Sequence, residues 1–146
     1  VDISNEALKV ARENACLHKV DKSISFIQQN ILLGFPEEIE ENSLDVIVSN
    51  PPYINTSLIA TLQREVKDYE PLHALDGGSD GLNFYRKIVA RAHNYLKPGG
   101  LLAFEVGHDQ SEQVEEIVKE SGNYKNIRFV KDLAGVNRVV SAQKKE

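Results

Sequence analysis

A chain of 146 residues, 41% hydrophobic and 27% charged, has the size and composition of one soluble globular domain with a real core. Its 17 basic and 22 acidic side chains leave a net charge of −5, which argues against a broad, sequence-independent grip on nucleic acid. No apolar stretch approaches a membrane span, no signal peptide is visible, and the single cysteine, Cys16, permits no intrachain disulfide and is compatible with a reducing cytoplasm.

Val1-Asp2-Ile3 reads as the tail of a strand, and the sequence holds no methionine, as expected of a piece of a longer chain. Ser4 is placed to cap a helix, with Glu6 suiting the positive end of its dipole. Ala7, Leu8, Ala11 and Ala15 recur at helical spacing, which predicts an amphipathic helix over residues 5–18 with Cys16 as a small buried residue on it. Ile24 to Gln28 reads as a short strand, Gly34-Phe35-Pro36 opens a loop, and the acidic run Glu37 to Glu41 is expected on a solvated face.

Leu44–Ser49 is the next strand, and its β-branched Val46, Ile47 and Val48 predict burial on both faces, as in a parallel sheet. Residues 54–81 are turn-rich, with a helix expected between Leu58 and Val66; an insertion this long after a strand is more often a functional lid than an idle loop. Leu82, Tyr85, Ile88, Val89, Ala92 and Leu96 mark a helix, ended by a structural turn at Lys97-Pro98-Gly99-Gly100. A strand at Leu101–Val106, a helix at Gln110–Ser121 and an antiparallel pair at Ile127–Val130 and Arg138–Ser141 complete the chain. The alternation predicts an α/β, Rossmann-like, doubly wound and mostly parallel sheet with an antiparallel strand at one edge, all within a single domain.

The strongest functional signal is Asn50-Pro51-Pro52-Tyr53, directly after the Leu44–Ser49 strand. Ligands of open α/β sheets sit beyond the carboxyl ends of the strands, which is where Asn50 falls. Two prolines fix φ and donate no hydrogen bond, so the turn is rigid and offers carbonyl acceptors beside one carboxamide. Such a turn suits the holding of a planar NH2 group; the plainer reading is a turn that ends a strand.

Asp2, at a strand end before a helix, has the position of a ribose-binding carboxylate or of a simple helix cap. Asn30 could hydrogen-bond an adenine or close a turn, and Ile31 could cover an adenine face or fill core. Neither Gly77-Gly78-Ser79-Asp80-Gly81 nor Lys97-Pro98-Gly99-Gly100 has phosphate-loop context. His18, His73, His93 and His108 are scattered, so no metal is expected.

With Val-Asp-Ile-Ser at 1–4 and Ile-Val-Ser-Asn-Pro-Pro-Tyr-Ile at 47–54, the chain resembles the class I S-adenosylmethionine-dependent methyltransferases, and among them the HemK-type release-factor glutamine methyltransferases. Glu70-Pro71, Ala74-Leu75-Asp76-Gly77-Gly78, Asp80-Gly81-Leu82, Phe84-Tyr85-Arg86, Leu96-Lys97-Pro98-Gly99-Gly100, Glu105-Val106-Gly107-His108 and Lys131-Asp132-Leu133-Ala134-Gly135 with Arg138-Val139-Val140 extend the likeness nearly end to end.

The resemblance implies S-adenosyl-L-methionine as cofactor, contacted by Asp2, Asn30, Ile31 and Asn50. It implies Asn50, Pro51 and Tyr53 as catalytic residues, and Asn50, Pro51, Pro52, Tyr53 and Glu70 as substrate contacts. The implied substrate is the glutamine of a Gly-Gly-Gln motif in a peptide chain release factor, with no stable nucleic-acid or membrane partner.

The family's helical N-terminal domain and glycine-rich cofactor loop are not in these 146 residues, and Asn30 stands where the family usually has Asp. Asn30 can still accept a bond from an adenine amine, but without the loop the chain by itself is expected to bind the cofactor weakly or not at all. Asn-Pro-Pro-Tyr is shared with adenine-N6 and ribosomal-protein glutamine methyltransferases; Ala-Leu-Asp-Gly-Gly and Asp-Leu-Ala-Gly favour the release-factor group. The remaining alternative is a folded remnant that binds partners without chemistry.

Overall fold

The computed structural model describes residues 1–64 and 71–146, and the chain divides into two units, Val1–Ile39 and Glu40–Glu146. In the first unit the Ser4 hydroxyl accepts the Ala7 amide at 3.1 Å and starts α1, Asn5–Leu17. Leu8 and Ala15 form the buried stripe of this helix. Cys16, expected inside, is exposed, because it sits about 100° around the helix from Ala15.

The strand expected at Ile24–Gln28 shortens to a single parallel bridge between Asp2 and Gln28. Asp2 N donates to Ile27 O at 3.1 Å and Gln29 N to Asp2 O at 2.9 Å. A 3-10 turn at Asp21–Ser23 takes up the chain just before, and Ile24 leaves it exposed rather than paired.

In the second unit β1 (Leu44–Ser49), β2 (Leu96–Glu105), β3 (Tyr124–Lys131) and β4 (Asn137–Lys144) form a sheet of order β1-β2-β4-β3. β1 and β2 run parallel, and β4 runs antiparallel to both β2 and β3. The connection from β1 to β2 carries α2 (Leu72–Leu75) and α3 (Asn83–Tyr95), and α4 (Ser111–Glu120) joins β2 to β3. This is a mixed α/β architecture with its antiparallel pair at the end of the chain, as the alternation predicts. The reversed strand is β4, one place in from the edge strand β3.

Helices α3 and α4 pack on one face of the sheet. Tyr85, Ile88, Val89 and Ala92 from α3 and Val114 and Val118 from α4 meet Leu102, Phe104, Val140 and Ala142 there, all buried. Each large side chain so removed from water contributes roughly 1.5–3 kcal/mol, which makes this layer the base on which the loops at the strand ends stand. Tyr85 meets Phe104 edge to face at 5.3 Å, and its hydroxyl donates to Glu105 O at 3.0 Å.

Two expectations fail on β1 and β2. Val46 and Val48 are 50% and 74% exposed rather than buried on both faces. They pair with Leu101 and Ala103, on the side of the sheet opposite buried Leu102 and Phe104, and β1 is an outer strand. Lys97-Pro98-Gly99-Gly100, expected as a turn before the strand, lies within β2. Between the pairs Leu44–Leu96 and Val46–Leu101, β1 advances through Asp45 alone and β2 through Lys97–Gly100. The excess is absorbed as an irregularity at Gly99 (φ +77°), bridged by Lys97 Nζ to Asp45 Oδ1 at 2.7 Å.

Of the helix expected between Leu58 and Val66, a 3-10 turn covers Thr56–Thr61, and its far end lies outside the described residues. No helix among the described residues is long and apolar enough to cross a membrane.

Candidate active site

Ser49 pairs with Phe104, so Asn50 and Glu105 follow side by side at the carboxyl ends of two parallel strands. Asn50 is exposed, Pro51 is buried, and Pro52 and Tyr53 are half-buried. The turn is thus anchored by its first proline and presents its carboxamide to the outside. Two consecutive residues without an N–H also leave the carbonyls of this stretch with fewer internal partners.

The backbone after Tyr53 is laced to residues 75–79. Ile54 N donates to Leu75 O at 3.0 Å, Gly77 N to Ile54 O at 2.8 Å, and Thr56 N to Gly78 O at 3.0 Å. The Thr56 hydroxyl donates to Asp76 Oδ1 at 2.6 Å, and that oxygen also accepts the Gly78 amide at 2.9 Å. These bonds hold the Asp76 carboxyl below the usual carboxylate range, with the Thr56 bond the largest cause. Asp80 is lowered in the same way, first by its side-chain bonds to Arg86 and then by the Leu82 amide.

Three residues close on Tyr53 itself. A Cβ on Gly77 would stand 2.8 Å from Tyr53 Cα, and one on Gly81 only 2.3 Å from Tyr53 O. Gln110 Nε2 donates to Tyr53 O at 3.0 Å and to Gly81 O at 3.4 Å, while Gln110 Oε1 accepts the Gly107 amide at 3.2 Å. Glycine is required at 77 and 81 because backbone there touches backbone. Tyr85 lies below, where burial first, then the neighbouring Tyr53 and Glu105, push its hydroxyl far above the usual tyrosine value and keep it a neutral donor.

The structure therefore brings Asn50, Pro51, Pro52 and Tyr53 together on one rigid turn and adds Gly77, Gly81 and Gln110 beneath it. Gln110 was invisible to sequence reasoning as anything but the start of a helix. The available signal was a Gln at the N-cap of α4, where Ser, Thr, Asp or Asn is the usual choice. Glu70 lies outside the described residues.

In the first unit Asp2 is exposed, and its Oδ1 accepts the Ser4 amide at 2.8 Å beside the N-terminus of α1. Asn30 Oδ1 accepts the Leu32 amide at 3.0 Å, and Asn30 and Ile31 are both half-buried. Asn30 thus closes a turn, as its local reading has it, whereas α1 is capped by Ser4 and Asp2 only closes a turn onto that cap residue. A cavity of about 560 Å³ in this unit is walled by residues including Gln28, Gln29, Leu33 and Phe35, but not by Asp2, Asn30 or Ile31.

The chain is 44% identical over 144 residues to a release factor glutamine methyltransferase of Thermodesulfovibrio yellowstonii, covering 99% of this chain and 50% of that protein. It is 42% identical to the protein of the same name in Clostridium botulinum, covering 98% of this chain and 50% of the relative. The chain thus spans about half the length of the curated relatives it matches. A SAM-dependent O-methyltransferase of Thermotoga maritima shares the fold, with a TM-score of 0.58 over 97% of this chain and 47% of its own, at 13% identity. The family model described as a methyltransferase domain matches residues 1–146, and the chain belongs to that family.

Proposed function

We propose that a protein carrying this chain transfers a methyl group from S-adenosylmethionine to the side-chain amide nitrogen of a glutamine in a peptide chain release factor, with residues 1–146 as part of its catalytic domain. The observation that carries this reading is the exposed Asn50 carboxamide on a proline-stiffened turn at the carboxyl end of a parallel strand. The 44% identity to a protein named for that reaction supports it along nearly the whole chain.

The donor set fits the cofactor's nucleoside. The Asp2 carboxylate is exposed and gives one of its roughly four lone-pair sites to the Ser4 amide, so it retains acceptors for a ribose diol. Asn30 engages only its oxygen in the turn, and Ile31 offers an apolar side chain beside it. When bound, S-adenosylmethionine supplies an electrophilic methyl group.

An amide nitrogen is a poor nucleophile, because its lone pair is delocalised into the carbonyl. Asn50 Oδ1 and the Pro51 carbonyl accept the two N–H bonds of the substrate amide, aim the nitrogen and favour the positive charge that develops on it. Pro52 keeps the turn in shape, and Tyr53 packs against the glutamine and excludes water. The extra proton on nitrogen leaves to solvent after transfer, so positioning carries most of the rate.

Glu70 stands as a sequence-based candidate for contacts to the protein substrate. The release factor is a transient partner, and the net charge of −5 disfavours stable nucleic-acid binding. A translation factor as substrate puts the reaction in the cytoplasm.

Asn50→Ala tests the assignment. Its kcat should fall by the equivalent of about 2–4 kcal/mol, the scale of losing one preorganised polar group. Stability should hold, since the side chain is exposed. Near-normal turnover would remove Asn50 from the mechanism.

A further inference from the structure

We infer that Gln110 is a positioning residue for methyl transfer, setting the height and tilt of the Asn50–Tyr53 turn through the Tyr53 carbonyl. The inference rests on the activity proposed above. Gln110 is only 7% exposed and occupies the N-cap of α4, yet its side chain makes no capping bond to that helix. It points back into the loops at the ends of the strands.

There its carboxamide is fully oriented by three backbone groups. Oε1 accepts the Gly107 amide, which dictates which end of the group faces the other way. Nε2 then donates to Tyr53 O at 3.0 Å and Gly81 O at 3.4 Å. One side chain therefore ties the turn after β1, the glycine loop before α3 and the turn after β2. Close packing leaves the linkage no slack: Cβ atoms on Gly81 and Gly107 would stand 2.6 Å from Gln110 Nε2 and 2.7 Å from Gln110 Oε1.

The polypeptide between Asn50 and Tyr53 is stiffened by Pro51 and Pro52, so a displacement at the Tyr53 carbonyl is passed to the Asn50 carboxamide rather than absorbed between them. A misplacement of about 1 Å in such a group lowers a rate by up to about a hundredfold. Gln110 touches no reacting atom in this scheme; it acts through Tyr53.

Two variants of the protein carrying this chain test the inference. Gln110→Met keeps the volume and deletes the three bonds. Gly107→Ala keeps Gln110 and pushes its flexible carboxamide aside. Both should lower kcat for methylation of a release-factor glutamine by roughly tenfold to a hundredfold, with KM for the methyl donor unchanged.

Hydrogen exchange should quicken at the Ile54, Thr56, Gly77 and Gly81 amides while α3 and the centre of the sheet stay protected. Wild-type kcat in both variants, or exchange quickened evenly across Glu40–Glu146, overturns the positioning role; the second result would make Gln110 merely structural. If the unaltered protein methylates no glutamine substrate, the activity reading fails on its own. The exchange pattern then decides: local loosening of the turn upholds the linkage, and any other pattern overturns it.

Discussion

Replacing Gly81 with alanine isolates the contact that holds the candidate active-site turn. Gly81 has φ +75°, and an added Cβ would lie 2.3 Å from Tyr53 O and 2.6 Å from Gln110 Nε2. The left-handed backbone alone costs an alanine roughly 1–2 kcal/mol, and forcing a methyl into a filled space adds roughly 1–3 kcal/mol. Gly81→Ala should therefore lose about 2–5 kcal/mol of stability in the Glu40–Glu146 unit.

Gly99→Ala is the matched control. Its φ is +77°, and nothing lies within 4 Å of the new Cβ, so it should lose only the backbone share, about 1–2 kcal/mol. Urea unfolding of both variants, with unchanged slopes, gives the difference directly. Methyl transfer should fall further in Gly81→Ala than in Gly99→Ala, because the Tyr53 carbonyl must move to admit the methyl group. Equal stability and equal turnover in the two variants would refute the close contact between Gly81 and Tyr53.

The carboxylates of the bracket around residues 54–80 give a pH prediction. Asp76 and Asp80 have folded-state values below the usual 3.8, so their contribution is present above that value and is lost as pH falls through the lower folded values. Thermal stability should thus fall in acid below about pH 3.8, with little change from these groups between there and neutrality. Thr56→Val removes the largest cause at Asp76, and a carboxylate NMR titration should show Asp76 moving up toward 3.8 while Asp80 stays put. An Asp76 midpoint unmoved by the substitution would mean the Thr56 bond does not hold it.

What could be read from the sequence was mostly local. The Ser4 cap and the Leu8–Ala15 spacing determine α1 within one helix length, and the run at Leu44–Ser49 marks β1 because β-branched residues favour strands wherever they sit. Asn50-Pro51-Pro52-Tyr53 stood out because proline geometry is set by covalent structure. What escaped depends on distant partners. The exposure of Val46 and Val48 follows from the place of β1 at the margin of its sheet, which no window of sequence contains.

The same holds for Lys97–Gly100, whose glycines and proline read as a turn until Asp45 and the parallel pairing draw them into β2. Gln110 escaped because its partners lie 57 and 29 residues away at Tyr53 and Gly81. The Gly77 and Gly81 positions were visible as glycines but not as the floor beneath Tyr53.

The destination of the methyl group tests the proposed function most directly. A protein carrying this chain, incubated with isotopically labelled S-adenosylmethionine and a release factor, should place one methyl on the glutamine of the Gly-Gly-Gln motif, read by peptide mass spectrometry. A release factor with that glutamine replaced should take up no label. Label on adenine in DNA or RNA, with none on the release factor, would contradict the proposed substrate.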